Sequence, residues 1–142
     1  MINYPVTFEA SAVASAGMDS AWKVSAASYE STCSVPTAFE GPGGTFSPED
    51  YFLLSLQNCF VASFKVFAQY SRLNFTTLKV DAQLSVNKDQ DGKPWMESVQ
   101  LKIHLSGADN EKKAQLLIAK TLENGFILRS VKTTIIPEII LD

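Results

Sequence analysis

The spacing of apolar positions changes along the 142-residue chain, and each change marks an element. Up to Phe39 the apolar residues alternate loosely with polar ones, first in "VTFEASAVA" and then in "AWKVSAASYESTCSV", where Trp22, Val24 and Ala26 stand against polar neighbours. Period two interrupted by the turn-forming "AGMDS" predicts a region of short strands over residues 1–39. "EGPGGTFSPED" then breaks the pattern, because Gly41, Pro42, Gly43 and Gly44 cannot continue a strand. Ser47 reads as an N-cap and Pro48 as the first helical residue, where no donor is needed. Glu49 and Asp50 suit the positive end of the helix dipole, and Asp50 completes a capping box with Ser47.

From Tyr51 to Phe67 the apolar residues spread beyond the stripe of a surface helix: Phe52, Leu53, Leu54, Leu56, Cys59, Phe60, Val61, Phe64, Val66 and Phe67. A helix that apolar predicts burial nearly all round, and a chain of this size has little with which to cover its second face. A second copy of the chain is the expected cover, which predicts a homodimer. Further on, Val80, Ala82, Leu84, Val86 and Val99, Leu101, Ile103, Leu105 form two period-two runs joined by "NKDQDGKP", a hairpin with one buried face. Residues 109–126 carry Ala114, Leu117, Ile118 and Leu122 at helical spacing and run out at the Gly of "NGF". "SVKTTIIPEIIL" closes the chain as a strand that Pro137 makes an edge or a broken one.

A single domain over residues 1–142 is expected, long enough to fold on its core without a disulfide scaffold. Hydrophobic residues make up 46% of it and charged ones 19%, which argues against disorder. The net charge of −3, with scattered basic residues, leaves no footprint for a phosphate backbone, so no nucleic-acid partner is expected. The N-terminal "MINYPVTFEASAVASAG" lacks the basic and continuous apolar regions of a signal peptide. No window holds the roughly 18 uninterrupted apolar residues of a membrane span, so no membrane partner is expected either. Cys33 and Cys59 are too few and too far apart for a disulfide framework or a zinc site, and a reducing cytoplasm fits them best.

Cys59 is the first candidate for chemistry. A Cys in an apolar helix usually just packs, and a reactive one needs a cation or a helix N-terminus beside it. Cys59 lies three turns into its helix with no Arg, Lys or His within a turn. Glu49 is by itself an ordinary helix-start acid, and about 15 Å of helical rise keeps it from Cys59 within one chain. The two meet only across a dimer whose helices run antiparallel. His104, the single histidine, falls on the polar face of its strand beside Gln100 and Lys102 and builds neither a triad nor a metal cluster. "GPGG" lacks the Lys-Ser/Thr of a phosphate loop and "KDQDGKP" the ligand spacing of a calcium loop, so no metal or cofactor is expected.

The run "PTAFEGPGGTFSPEDYFLLSLQNCFVASF" resembles the signature of the OsmC/Ohr family: a Gly-rich turn, a Pro-Glu pair and, ten residues after the Glu, a cysteine in a buried helix. "ENGFILRSVKTTI" resembles the family's second such segment, and the order of elements matches over nearly the whole chain. The resemblance implies an α+β fold with antiparallel sheets packed around a buried central helix, assembled as an intertwined homodimer. It also implies reduction of organic hydroperoxides by a peroxidatic cysteine, which falls on Cys59, assisted by a glutamate, which falls on Glu49. The resolving cysteine of the family falls on Gly125 and the activating arginine near Met18. Both are departures. Without the arginine, a thiolate at Cys59 lacks its cation and reactivity drops. Without a cysteine at position 125, a sulfenic acid at Cys59 must be resolved by Cys33 or by an outside thiol.

These residues leave more than one function open. The enzyme reading is a thiol-dependent peroxidase in which Cys59 attacks a small apolar hydroperoxide, Glu49 of the partner orients the site and an external dithiol restores it. The binding reading is a catalytically impaired dimer that holds a small apolar or acyl ligand in an interface pocket lined by Phe52, Leu56 and Phe60. A third reading is a structural dimer with no ligand.

Overall fold

The N-terminal alternation becomes an antiparallel sheet of β1 (Ala10–Val13), β2 (Trp22–Ala26) and β3 (Tyr29–Cys33) in a computed structural model that describes residues 1–142. The run containing Trp22, Val24 and Ala26 is a hairpin of two short strands. Ala26 pairs with Tyr29 across Ala27 and Ser28, which both hold positive φ, 50° and 68°. Two such residues form the tight turn whose twist matches the flanking strands, although neither is the glycine or asparagine by which sequence announces it. After β3 the Gly-rich segment folds back on the strand end. The Phe46 carbonyl accepts the Ser34 N–H at 3.0 Å, and the Gly43 carbonyl accepts the Ser34 hydroxyl at 3.1 Å. A Cβ on Gly41 would stand 2.1 Å from the Val35 carbonyl oxygen, so only glycine fits there.

Helix α1 runs from Pro48 to Tyr70, and its start is the expected capping box: Ser47 Oγ accepts the Asp50 N–H at 3.1 Å and Asp50 Oδ2 accepts the Ser47 N–H at 2.9 Å. The chain divides within this helix into two compact units, Met1–Tyr51 and Phe52–Asp142. In the second unit β4 (Thr77–Lys88) and β5 (Pro94–Ser106) form the expected hairpin, with a register shift between Ser85 and Val86. Helix α2 (Glu111–Asn124), capped by Asn110, crosses over to β6 (Thr134–Leu141), which lies parallel to β5 in a sheet of order β4-β5-β6. Pro137 sits on that edge strand, where its missing donor costs no ladder bond.

The core of the second unit is one face of this sheet closed by two helical stripes. Val99, Leu101, Ile103 and Leu105 of β5 are wholly buried, as are Leu56, Phe60 and Phe64 of α1 and Ala114 and Ile118 of α2. Phe60 and Phe64 stack with ring centroids 6.0 Å apart. The expected burial of α1 all round is not met within one chain. Only the stripe Leu56, Phe60, Phe64 and Ala68 is buried, while Val66 and Tyr70 are exposed. By length and mean hydropathy α1 would suffice to cross a bilayer. Its buried stripe, however, belongs to the sheet-and-helix core, and Lys65 lies on its exposed side.

Candidate functional site

Cys59 lies on α1 one position before the core residue Phe60, which turns its side chain toward the rim of the core, and its thiol is half-buried. The rim there is the turn after α2. Gly125 ends that helix, its N–H bonded to the Thr121 carbonyl at 2.9 Å, and the chain continues through Phe126 and Ile127 into a short 3-10 turn, Leu128–Ser130. The sulfur of Cys59 accepts the Ile127 N–H at 3.3 Å. Gly125 packs on the same sulfur: a Cβ there would stand 3.2 Å from Sγ, with Leu128 Cδ1 at 2.9 Å and the Thr121 carbonyl oxygen at 3.1 Å. Its φ of −56° is one that any residue adopts, so this glycine serves proximity and not backbone geometry. The two positions paired by resemblance, Cys59 and Gly125, are thus brought together across 66 residues of chain.

The turn is held from several sides. Gly125 O accepts the Arg129 N–H at 2.9 Å, Ile127 O accepts the Ser130 N–H at 3.0 Å, and the Ser130 hydroxyl donates to the Phe126 carbonyl at 2.5 Å. The Ile127 N–H has no backbone acceptor and is satisfied by sulfur alone. Reasoning from sequence missed this contact, because a backbone donor leaves no residue-type signal. Beside it Phe126 and Ile127 are 75% and 41% exposed, an apolar approach to the thiol.

Glu49 occupies the first turn of α1, and the helix is continuous through Cys59, so helical rise keeps the two apart along it. One carboxylate oxygen of Glu49, Oε1, is buried without a hydrogen-bond partner. A buried acceptor left unpaired is costly, and this one calls for a donor that the chain does not itself supply. Cys33 lies at the end of β3, buried. Burial pushes its thiol up, the Ser34 N–H opposes this, and the Glu49 and Asp50 carboxylates push it further up, so Cys33 stays a neutral thiol at pH 7. Met18 is 52% exposed in the turn between β1 and β2.

Leu56 and Phe60, expected to line an interface pocket with Phe52, are fully buried in this chain's own core and are not available to line one. The reason is their place on the stripe that faces β5. His104 is half-exposed as its polar face implied, but it is not isolated. Its Nε2 lies 2.9 Å from Asp142 Oδ2, and the Ser106 hydroxyl donates to Asp142 Oδ1 at 2.6 Å. The Ser106 hydroxyl also lies 3.5 Å from the same Nε2, so serine and carboxylate share one imidazole nitrogen instead of taking opposite ones, and this is a tie between β5 and the chain end rather than a nucleophilic triad. No cluster of metal-ligating side chains is present.

Residues 41–139 match the family model described as OsmC-like protein. No curated protein matches the chain. Among solved structures, an OsmC-like protein of unknown function from Vibrio cholerae is similar with a TM-score of 0.80 at 20% identity, over 96% of this chain and 100% of that one. An OsmC-like protein from Mycoplasma pneumoniae has a TM-score of 0.82 at 15% identity, over 97% and 99% of the two chains. An organic hydroperoxide resistance protein from Legionella pneumophila has a TM-score of 0.76 at 18% identity, over 99% of each.

Proposed function

The chain belongs to the OsmC-like protein family, and from that membership we propose that it reduces organic hydroperoxides by a one-cysteine, thiol-dependent mechanism at Cys59. The observation that carries this reading is the half-buried sulfur of Cys59 accepting the Ile127 N–H at 3.3 Å. That contact fixes the sulfur at the rim of the core, beside the turn after α2, where an entering molecule can reach it. The thiolate attacks the outer oxygen of the hydroperoxide and the O–O bond breaks. The alkoxide leaves and takes a proton to become the alcohol, and Cys59 becomes a sulfenic acid. An external dithiol then reduces it: one thiol displaces water to form a mixed disulfide, and the second releases Cys59 and leaves as the oxidised dithiol.

Phe126 and Ile127 present apolar surface to the entering molecule, which suits a small apolar hydroperoxide. We assign the chain to a homodimer in a reducing cytoplasm. The open face of α1 at Val66 and Tyr70 supports a second copy as cover. The unpartnered Oε1 of Glu49 supports a site completed between copies, in which the partner's counterpart of this glutamate orients the reacting groups at Cys59. The second reading, a catalytically impaired dimer that binds an apolar or acyl ligand, is favoured by one observation, the glycine that packs on Cys59 where a resolving thiol would stand.

Cumene hydroperoxide with a dithiol reductant separates the two. The enzyme reading expects catalytic consumption of the peroxide, a sulfenic acid on Cys59 that dimedone traps, and loss of both in Cys59→Ser. Intact protein that leaves cumene hydroperoxide unconsumed and Cys59 unmodified would favour the binder.

A further inference from the structure

Gly125 removes the sulfur that would resolve an oxidised Cys59, yet the sulfur of Cys59 is not left without a chemical partner. The hydrogen-bond donor at that sulfur is the backbone nitrogen of Ile127, 3.3 Å away. A sulfenic acid condenses either with a thiol or with a backbone nitrogen, and a backbone nitrogen is in place here. Resting on the peroxidase reading above, we propose that oxidised Cys59 closes onto the Ile127 nitrogen as a sulfenamide, a self-made cap that stands in for the absent second thiol.

The surroundings favour that bond. The Ile127 N–H donates to no carbonyl, so forming the bond sacrifices only the contact to sulfur already present. The carbonyl of the same peptide unit, that of Phe126, accepts the Ser130 hydroxyl at 2.5 Å, which draws electron density onto its oxygen and makes the N–H more acidic. The bonds from Arg129 N–H to Gly125 O and from Ser130 N–H to Ile127 O fix the path of the turn between Gly125 and Ser130, in which the nitrogen faces Sγ. Gly125, with no side chain, lets sulfur and turn approach each other this closely.

The step balances. The hydroperoxide supplies the oxidising equivalents and leaves as alcohol, giving Cys59 sulfenic acid. Its S–O bond then breaks as the S–N bond forms, and hydroxide takes the Ile127 proton and leaves as water. Sulfur keeps its oxidation level in this second step, so no further oxidant is needed. A thiolate attacking sulfur reopens the S–N bond, returns the proton to nitrogen and passes Cys59 to the ordinary mixed disulfide. Between peroxide exposure and reduction, sulfur would be guarded from sulfinic acid.

The test treats the full chain carrying Cys33→Ser, which rules out a disulfide within the chain, with one equivalent of cumene hydroperoxide and no thiol. The expected product is monomeric on a non-reducing gel and about 2 Da lighter than the reduced chain, with the Cys59 and Ile127 peptides joined; dithiothreitol restores the starting mass. In Ile127→Pro, whose ring suits the native φ of −72°, the lighter species is lost and Cys59 stays a sulfenic acid, about 16 Da heavier, which a second equivalent of hydroperoxide carries to sulfinic acid, about 32 Da heavier. Ser130→Ala should shift the product ratio the same way. Peptide mapping of the unsubstituted chain gives the same answer should a variant fail to fold. Sulfenic or sulfinic acid at Cys59 with no joined peptide would overturn the sulfenamide and leave the peroxidase reading standing. Cys59 untouched by peroxide would overturn both.

Discussion

Gly125 and Cys59, far apart in sequence, pack so closely that a Cβ on Gly125 would lie 3.2 Å from the sulfur. That is close to the Cβ-to-sulfur separation across a disulfide, given an S–S bond of about 2.05 Å. Gly125→Cys is therefore expected to form a disulfide with Cys59 on mild oxidation, seen as a loss of about 2 Da with the two peptides joined. The native φ of −56° accepts cysteine, and the cost is displacement of the Leu128 methyl from 2.9 Å, an overpacking of about 1 kcal/mol in the reduced state. An unchanged pair of free thiols after oxidation would show that the turn holds the new sulfur away.

Met18→Arg tests the missing cation. Met18 is 52% exposed in a turn, so the substitution should alter stability by less than about 0.5 kcal/mol in denaturant unfolding. Combined with Gly125→Cys it is expected to give dithiol-driven turnover of cumene hydroperoxide above that of either single variant, because a guanidinium stabilises the thiolate and stays charged. Equal rates in all three variants would remove Met18 from the catalytic argument.

Cys33 and Cys59 should differ in reactivity. Burial and the neighbouring carboxylates of Glu49 and Asp50 push the Cys33 thiol up, so it stays protonated at pH 7 and gains thiolate only as pH rises beyond the ordinary thiol range. Iodoacetamide at neutral pH is expected to label Cys59 and leave Cys33 unmodified in the folded protein, with both labelled after unfolding. Preferential labelling of Cys33 would contradict the burial seen here.

Acid should weaken the chain end before the core. The Ser106 hydroxyl and His104 hold the Asp142 carboxyl below its ordinary range, and Asn74 does the same for Asp109 through its side-chain and backbone donors. A depressed carboxylate stabilises the fold while ionised, so the contribution is complete at neutral pH, begins to fall near the ordinary value of about 4 and is gone below the folded-state value. Both groups are exposed and the effect is correspondingly small. Asp142→Asn should flatten the acid limb of a melting-temperature profile between about pH 5 and pH 2. An unaltered acid limb would mean that the tie to His104 and Ser106 contributes nothing.

The open faces of the single chain predict its assembly. Sedimentation at low micromolar concentration is expected to show twice the chain mass, since Val66 and Tyr70 of α1 and Ile2, Tyr4, Val6 and Phe8 of the N-terminal segment are all exposed in one copy. A folded monomer under those conditions would remove the partner's glutamate from the proposed site.

What could be read directly from the chain was local. The Ser47–Asp50 capping box, the buried face of the β4–β5 hairpin and the helix ending at Gly125 each follow from residues a few positions apart, where sterics and hydrogen bonding act without knowledge of the rest. Even there the Ala27–Ser28 turn was hidden, because neither residue type advertises positive φ. The resemblance carried by the Pro48–Glu49 pair and Cys59 reached further, to the fold and to the pairing of positions 59 and 125. Tertiary structure alone decided the rest. The parallel partner of β6 depends on where α2 packs, and the exposed side of α1 depends on how much of it one sheet covers. The Ile127 N–H that faces Cys59 is a backbone group common to every residue except proline, and only the folded path of the chain brings that nitrogen to that sulfur.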